Sequence, residues 1–148
     1  MRYWFFGIAA SLFAFVLVFQ VGAARKPFPD GIITSDSGVQ YVTGGIGDDS
    51  RQRVNELARA HHFNVQLGFA GRDDTFVADI PVIIDNAEGN KILALEKSGP
   101  ILMLRLPRGG YTATAEYNGA TIKHRFEAPK HGMTVVHFAW NKPAVPNP

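Results

Sequence analysis

The pair Asn118-Gly119 constrains this chain more than any other feature. A two-residue type I′ hairpin turn needs φ > 0 at both central residues, and Asn-Gly is the strongest short signal for one. With these residues at the tip, the register of the flanking strands follows. Tyr117 faces Ala120, Glu116 faces Thr121, Ala115 faces Ile122, Ala113 faces His124 and Tyr111 faces Phe126. The last three pairs share a face that is apolar and aromatic apart from His124. The other face holds Glu116 with Thr121, Thr114 with Lys123 and Thr112 with Arg125. Side chains alternate with period two, so a one-residue slip would bury Lys123 and Arg125. Turn chemistry and face pattern agree on one pairing, as they do in a sequence that specifies one structure. A third strand, through Leu106, precedes this hairpin across the Pro107 and Gly109-Gly110 junction.

The amino end reads as a segment apart. Arg2 is followed by an apolar run from Phe5 to Val21 and by the small residues Gly22-Ala23-Ala24. A positive start, an apolar middle and an A-x-A-like end make a secretory leader over 1–24, with cleavage after Ala23 or Ala24. An uncleaved membrane anchor is the alternative, since the run approaches the roughly 18 residues of a spanning helix. About 124 of the 148 residues then remain, enough for one domain with one core. Without Arg2 the chain carries 14 Lys and Arg against 13 Asp and Glu. That balance gives no argument for nucleic acid, which needs a clustered basic face. There is no cysteine, so disulfides, thiolate metal sites and a lipoprotein anchor are excluded, and stability must come from the hydrophobic core.

Residues 25–47 read as a linker with a short strand. Pro27, Pro29 and Gly31 punctuate it, Val39-Gln40-Tyr41-Val42 suggests an edge strand, and Thr43 to Gly47 suggests a glycine-rich hinge. The glycines there have neither the Walker lysine nor the GxGxxG spacing. Residues 48–62 form the one expected helix. Asp48 or Asp49 can cap it, and Val54, Leu57, Ala58 and His61 make one apolar stripe that packs on the sheet. From Phe63 the period changes to two. Phe63, Val65, Leu67 and Phe69 form one strand; Phe76, Ala78, Ile80, Val82 and Ile84 form the inward set of the next. Pro81 makes that second strand an edge or a bulged one. Asn86 to Asn90 is a hairpin loop, Ile92 to Leu95 a strand, and Ser98-Gly99-Pro100 a turn into Ile101 to Leu106. Pro129 to Gly132 turns into a last strand with Thr134, Val136, Phe138 and Trp140 on one face, before a Pro-rich tail over 142–148. The fold class is therefore all-β with one N-terminal helix, a β-sandwich over 63–141 of about seven strands with turns roughly every 8–12 residues.

The tract Asp79 to Gly89, with Leu106-Pro107-Arg108-Gly109-Gly110-Tyr111-Thr112-Ala113 and Tyr117-Asn118-Gly119, resembles the carboxypeptidase regulatory-like domain family. The matching pieces are Val82 and Ile84 in the core strand, Asp85 and Gly89 in the turn, and Leu106-Pro107 with Gly109 or Gly110 and Tyr111. One residue more separates Pro107 from Tyr111 than in that family's pattern. The resemblance implies a seven-stranded transthyretin-like, Ig-like sandwich over roughly Phe63 to Trp140, and a small exported bacterial protein carrying this domain alone. It implies little about function, because its motifs are turn and core motifs. One transthyretin-like branch hydrolyses a purine-degradation intermediate and ends in Tyr-Arg-Gly-Ser; this sequence ends Pro146-Asn147-Pro148.

No residue set specifies a reaction. There is no G-x-S-x-G serine and no cysteine nucleophile. Among His61, His62, His124, His131 and His137 no pair has i, i+4 helical spacing; His124 is expected at the core edge, hydrogen-bonded and given room by Ala113. Asp73, Asp74, Asp79 and Asp85 lack EF-hand spacing and suit turn capping better than calcium. The outward row Lys123, Arg125, Thr112 and Thr114 is the candidate contact with an anionic surface, although charges on an exposed strand also prevent edge aggregation. The expectation is a non-catalytic accessory or interaction module of the bacterial envelope, periplasmic or secreted, with no cofactor. Its partner would be a protein or an envelope polysaccharide, and neither nucleic acid nor, once the leader is gone, the membrane. Carbohydrate or envelope-polymer binding is the alternative, and histidine-based metal binding the third reading.

Overall fold

The computed structural model describes residues 31–140. The expected leader, its cleavage at Ala23 or Ala24, the start of the linker and the tail over 142–148 lie outside the described residues.

Two sheets face each other. One has five strands in the order β1 (Ile33–Thr34), β2 (Gln40–Gly44), β6 (Ile101–Arg105), β3 (Val65–Ala70) and β9 (Thr134–Ala139). The other has four: β5 (Lys91–Ser98), β4 (Ile80–Asn86), β7 (Gly109–Tyr117) and β8 (Ala120–Ala128). The core lies between them. Val65, Leu67, Phe69, Leu102, Leu104 and Phe138 of the first sheet meet Ile80, Val82, Ile84, Leu93, Tyr111, Ala113, Ala115 and Phe126 of the second. Each large apolar side chain removed from water there contributes about 1.5–3 kcal/mol. The all-β sandwich with a single helix is thus what the chain forms, with nine strands among the described residues.

The β7–β8 hairpin has the register expected from its turn, pair for pair from Tyr117 opposite Ala120 to Tyr111 opposite Phe126. Asn118 and Gly119 have φ of 49° and 77°, as a type I′ turn demands. Tyr111 stacks on Phe126 at 5.8 Å between ring centres, while Lys123 and Arg125 are exposed. Pro81 is also placed by its chemistry. β4 is an internal strand, and its register with β5 shifts between Ile80 and Val82, so the proline sits at a bulge.

Several expectations are corrected. Val39 to Val42 is no edge: β2 pairs with β6 on one side and the two-residue β1 on the other. The glycine-rich loop is shorter than Thr43 to Gly47 and begins at Gly45. Thr43 and Gly44 end β2, and a Cβ on Gly44 would stand 2.8 Å from Ser50 Oγ of the helix. Phe76 and Ala78 do not join β4. Asp79 takes φ 59°, which bends the chain ahead of Ile80 and breaks the alternation; Phe76 is 51 % exposed, with the Arg51 guanidinium 5.8 Å above its ring.

The helix, α1 (Asp48–Ala60), lies on the outer face of the five-stranded sheet. Val54 and Ala58 pack on Val42, Ile101 and Met103 in a second, smaller core, with Leu57 partly buried beside them; His61 is exposed. Gly47 holds the N-cap with no side-chain bond, so neither aspartate caps the helix. Asp48 and Asp49 fall in the first turn instead, where negative charge suits the dipole. The helix stops two residues short of His62. Phe63 N–H donates to Ala58 O at 2.9 Å and His62 N–H to Arg59 O at 3.4 Å, the two bonds of a Schellman motif. His62 takes the left-handed position, φ 54°, and Phe63 folds back into the small core beside Ala58. No described helix is long and apolar enough to cross a membrane.

Candidate functional site

The four residues expected to form a contact surface do lie on one face. Thr112 stands between Asp85 and Arg125, and Thr114 between Ile83 and Lys123, on the outer side of the four-stranded sheet. Lys123 and Arg125 are exposed and both threonines half-buried. A shallow hollow of about 600 Å³ runs from the Asn86–Gly89 loop to Lys123 and Arg125. Asp85 and Glu127 line the same hollow, so its charge is mixed and its net field weak.

A larger hollow, about 830 Å³, opens at one end of the sandwich. Its walls come from elements far apart in sequence. α1 ends there and brings Arg59 and, through the Schellman turn, His62. β6 ends there and brings Arg105; its crossover into the opposite sheet brings Pro107 and Arg108. The β8–β9 turn adds Lys130 and His131. Arg105 lies on the helix side of the sheet because β6 alternates, with Leu102 and Leu104 in the main core and Ile101 and Met103 under the helix. No Asp or Glu lines this cleft. Among the described residues no ion pair holds Arg59, Arg105, Arg108 or Lys130.

The floor is backbone held in place by one side chain. Asn64 Nδ2 donates to Leu106 O at 2.8 Å and to Pro129 O at 3.0 Å, and its Oδ1 accepts from Leu106 N–H at 2.9 Å. Its own N–H donates to Leu104 O, and its carbonyl accepts from Thr134 N–H at 2.9 Å. One asparagine thus joins the start of β3, the β6–β7 crossover and the β8–β9 turn. From the other side, the Tyr111 hydroxyl donates to Pro107 O at 2.7 Å. Burial raises the pKa of that hydroxyl, which keeps it a donor.

The histidines are dispersed. His62 and His131 border the cleft, and His137 lies exposed beside Gly68 on the outer face. His124 is half-buried, but instead of the expected hydrogen bond it sets its ring against Phe138, 4.8 Å away at 71°. Asp73, Asp74 and Asp79 sit in left-handed turn positions, while Asp85 is on a strand. Among the described residues no three metal-ligating groups converge.

The basic cleft was hidden in the sequence because its cations are dispersed there, each between uncharged neighbours. The usable signal was positional: Arg59, Arg105 and Lys130 all sit where an element ends. Only the strand order shows that those ends coincide. No protein-family model matches the chain, and no curated protein matches it.

Proposed function

We propose that this protein is a non-catalytic accessory module of the bacterial cell envelope, exported behind a leader cleaved after Ala23 or Ala24, which works by binding. The carboxypeptidase regulatory-like resemblance belongs to this reading, and the two-sheet arrangement with its Asn118-Gly119 and Asp85–Gly89 turns is consistent with it. The observation that carries the binding role is the end cleft, where permanent cations surround a floor that Asn64 already holds. A guanidinium cannot give up its proton near neutral pH. It is suited to holding an anion and not to shuttling protons.

Expression of the full chain in a bacterial host, with fractionation and intact mass, tests export. The expected product is periplasmic and begins at Ala24 or Arg25; a full-length protein confined to the cytoplasm overturns the reading. A second reading, binding of an envelope polysaccharide through Lys123 and Arg125, draws on the hollow beside them. Retention on peptidoglycan that Lys123→Glu and Arg125→Glu abolish supports it, and no retention on any glycan matrix refutes it.

A further inference from the structure

We infer that the end cleft is a receptor for a ligand bearing two or more phosphate groups. The inference rests on the reading of this protein as a binding module and names what the module holds.

The first argument is charge segregation. The chain has 15 Lys and Arg against 13 Asp and Glu. Four of the bases, Arg59, Arg105, Arg108 and Lys130, and none of the acids line this one hollow. The rest of the chain is then net acidic, with eleven bases against thirteen acids. A concave wall of one sign over low-dielectric protein focuses the field and concentrates counter-ions. Like charges held together repel, and an arrangement of four with no carboxylate among them is relieved when a multiply charged anion enters.

The helix dipole does not account for the cluster. Basic side chains near a helix C-terminus ordinarily complement its negative end. Of the four cations only Arg59 belongs to that last turn. The Schellman bonds already engage the Ala58 and Arg59 carbonyls. Arg105, Arg108 and Lys130 arrive on other elements.

The composition of the wall selects the anion. Three of the four cations are arginines, whose planar fork matches phosphate oxygens in pairs. The volume, about 830 Å³, lies in the range that takes small organic ligands. The only Phe, Tyr or Trp ring lining the cleft, Phe63, is 4 % exposed, so the large aromatic platforms on which nucleic-acid bases usually stack are missing from its wall. The pinned floor means that little backbone ordering is needed on binding, which favours affinity.

Isothermal titration of the purified protein with inorganic tripolyphosphate, with orthophosphate as the singly phosphorylated control, tests the ligand class. Sedimentation with phosphatidylcholine vesicles containing cardiolipin tests whether the phosphates are those of a lipid headgroup. The expected result is saturable binding of one of these multiply phosphorylated probes, tighter than orthophosphate. The double change Arg105→Gln with Arg108→Gln weakens it by about ten-fold or more. Lys91→Gln with Lys97→Gln, exposed on β5 of the far sheet, changes it by less than about two-fold. In the unaltered protein the amide signals of Arg108, Lys130 and Gly132 shift on titration while those of Thr114 and Lys123 stay, a readout that needs no variant to fold. Absence of saturable binding to both probes overturns the inference. So does equal loss in the two double variants, or tighter retention of a DNA oligonucleotide than of either probe. Failure of export leaves this titration untouched, so the two proposals fail separately.

Discussion

Replacing Asn64 with alanine tests whether one side chain holds the end of the sandwich together. The change removes three hydrogen bonds, two donated by Nδ2 to Leu106 O and Pro129 O and one accepted by Oδ1 from Leu106 N–H. A net value of about 1 kcal/mol per bond gives about 3 kcal/mol. The cleft is open, and water that reaches the freed groups reduces this to about 2–3 kcal/mol. The strand bonds of Asn64, from its N–H to Leu104 O and from Thr134 N–H to its carbonyl, survive the substitution. Asn64→Asp is the sharper companion. It keeps the Leu106 N–H acceptor but points an oxygen at two carbonyls, so it should destabilise at least as much as alanine near neutral pH and recover in part when the carboxyl is protonated. Equilibrium unfolding in urea measures both. A loss below about 0.5 kcal/mol for Asn64→Ala, the size of an ordinary surface change, would refute the claim that Asn64 secures the cleft floor.

Three further outcomes follow from the geometry. Thr43→Val leaves the Gly99 N–H, which donates to Thr43 Oγ1 at 2.8 Å, buried without a partner; urea unfolding should show a loss of about 1–3 kcal/mol. Gly99→Ala puts a Cβ 2.6 Å from the Gly44 carbonyl oxygen where β2 meets β6; the backbone must move, and thermal melting should show at least the roughly 1–3 kcal/mol of an overpacked core. Burial raises the pKa of Tyr111, and of Tyr41 in the same direction. The unfolded chain therefore releases these protons first, and stability present below about pH 10 falls as pH rises from there through the folded values. Tyr111→Phe should shallow that alkaline decline in melting temperature, and an unchanged slope would remove Tyr111 from its cause.

What could be read from the sequence was local. The β7–β8 hairpin followed from two turn residues and the alternation beside them, and Pro81 from its missing N–H, since both signals act within a few residues. The end of α1 was not legible, because its left-handed residue is His62 where a glycine would have marked the stop. Phe76 and Ala78 continued the alternation of β4 on paper, but the left-handed turn at Asp79 cuts it. β2 looked like an edge because its second neighbour, β1, is only two residues long. Lys123, Arg125, Thr112 and Thr114 were found as a row because they share one hairpin. Arg59, Arg105, Arg108 and Lys130 were not, because only the order β1-β2-β6-β3-β9 brings the ends of their elements together.

β9 has a consequence for the order in which this molecule is made. It pairs in parallel with β3, Val65 beside Thr134 through Ala70 beside Ala139. It is also fastened to the opposite sheet at both ends, through Thr134 Oγ1 to Glu127 O and Trp140 Nε1 to Ala120 O. A ribosome delivers this strand last among those described. Until it arrives, the β3 margin has no partner and Phe69 lacks the rings of Phe138 and Trp140 that cover it. Synthesis stopped ahead of Thr134 leaves that margin open to any other extended chain, so the final strand is the one that covers β3 and the Phe69 ring beneath it.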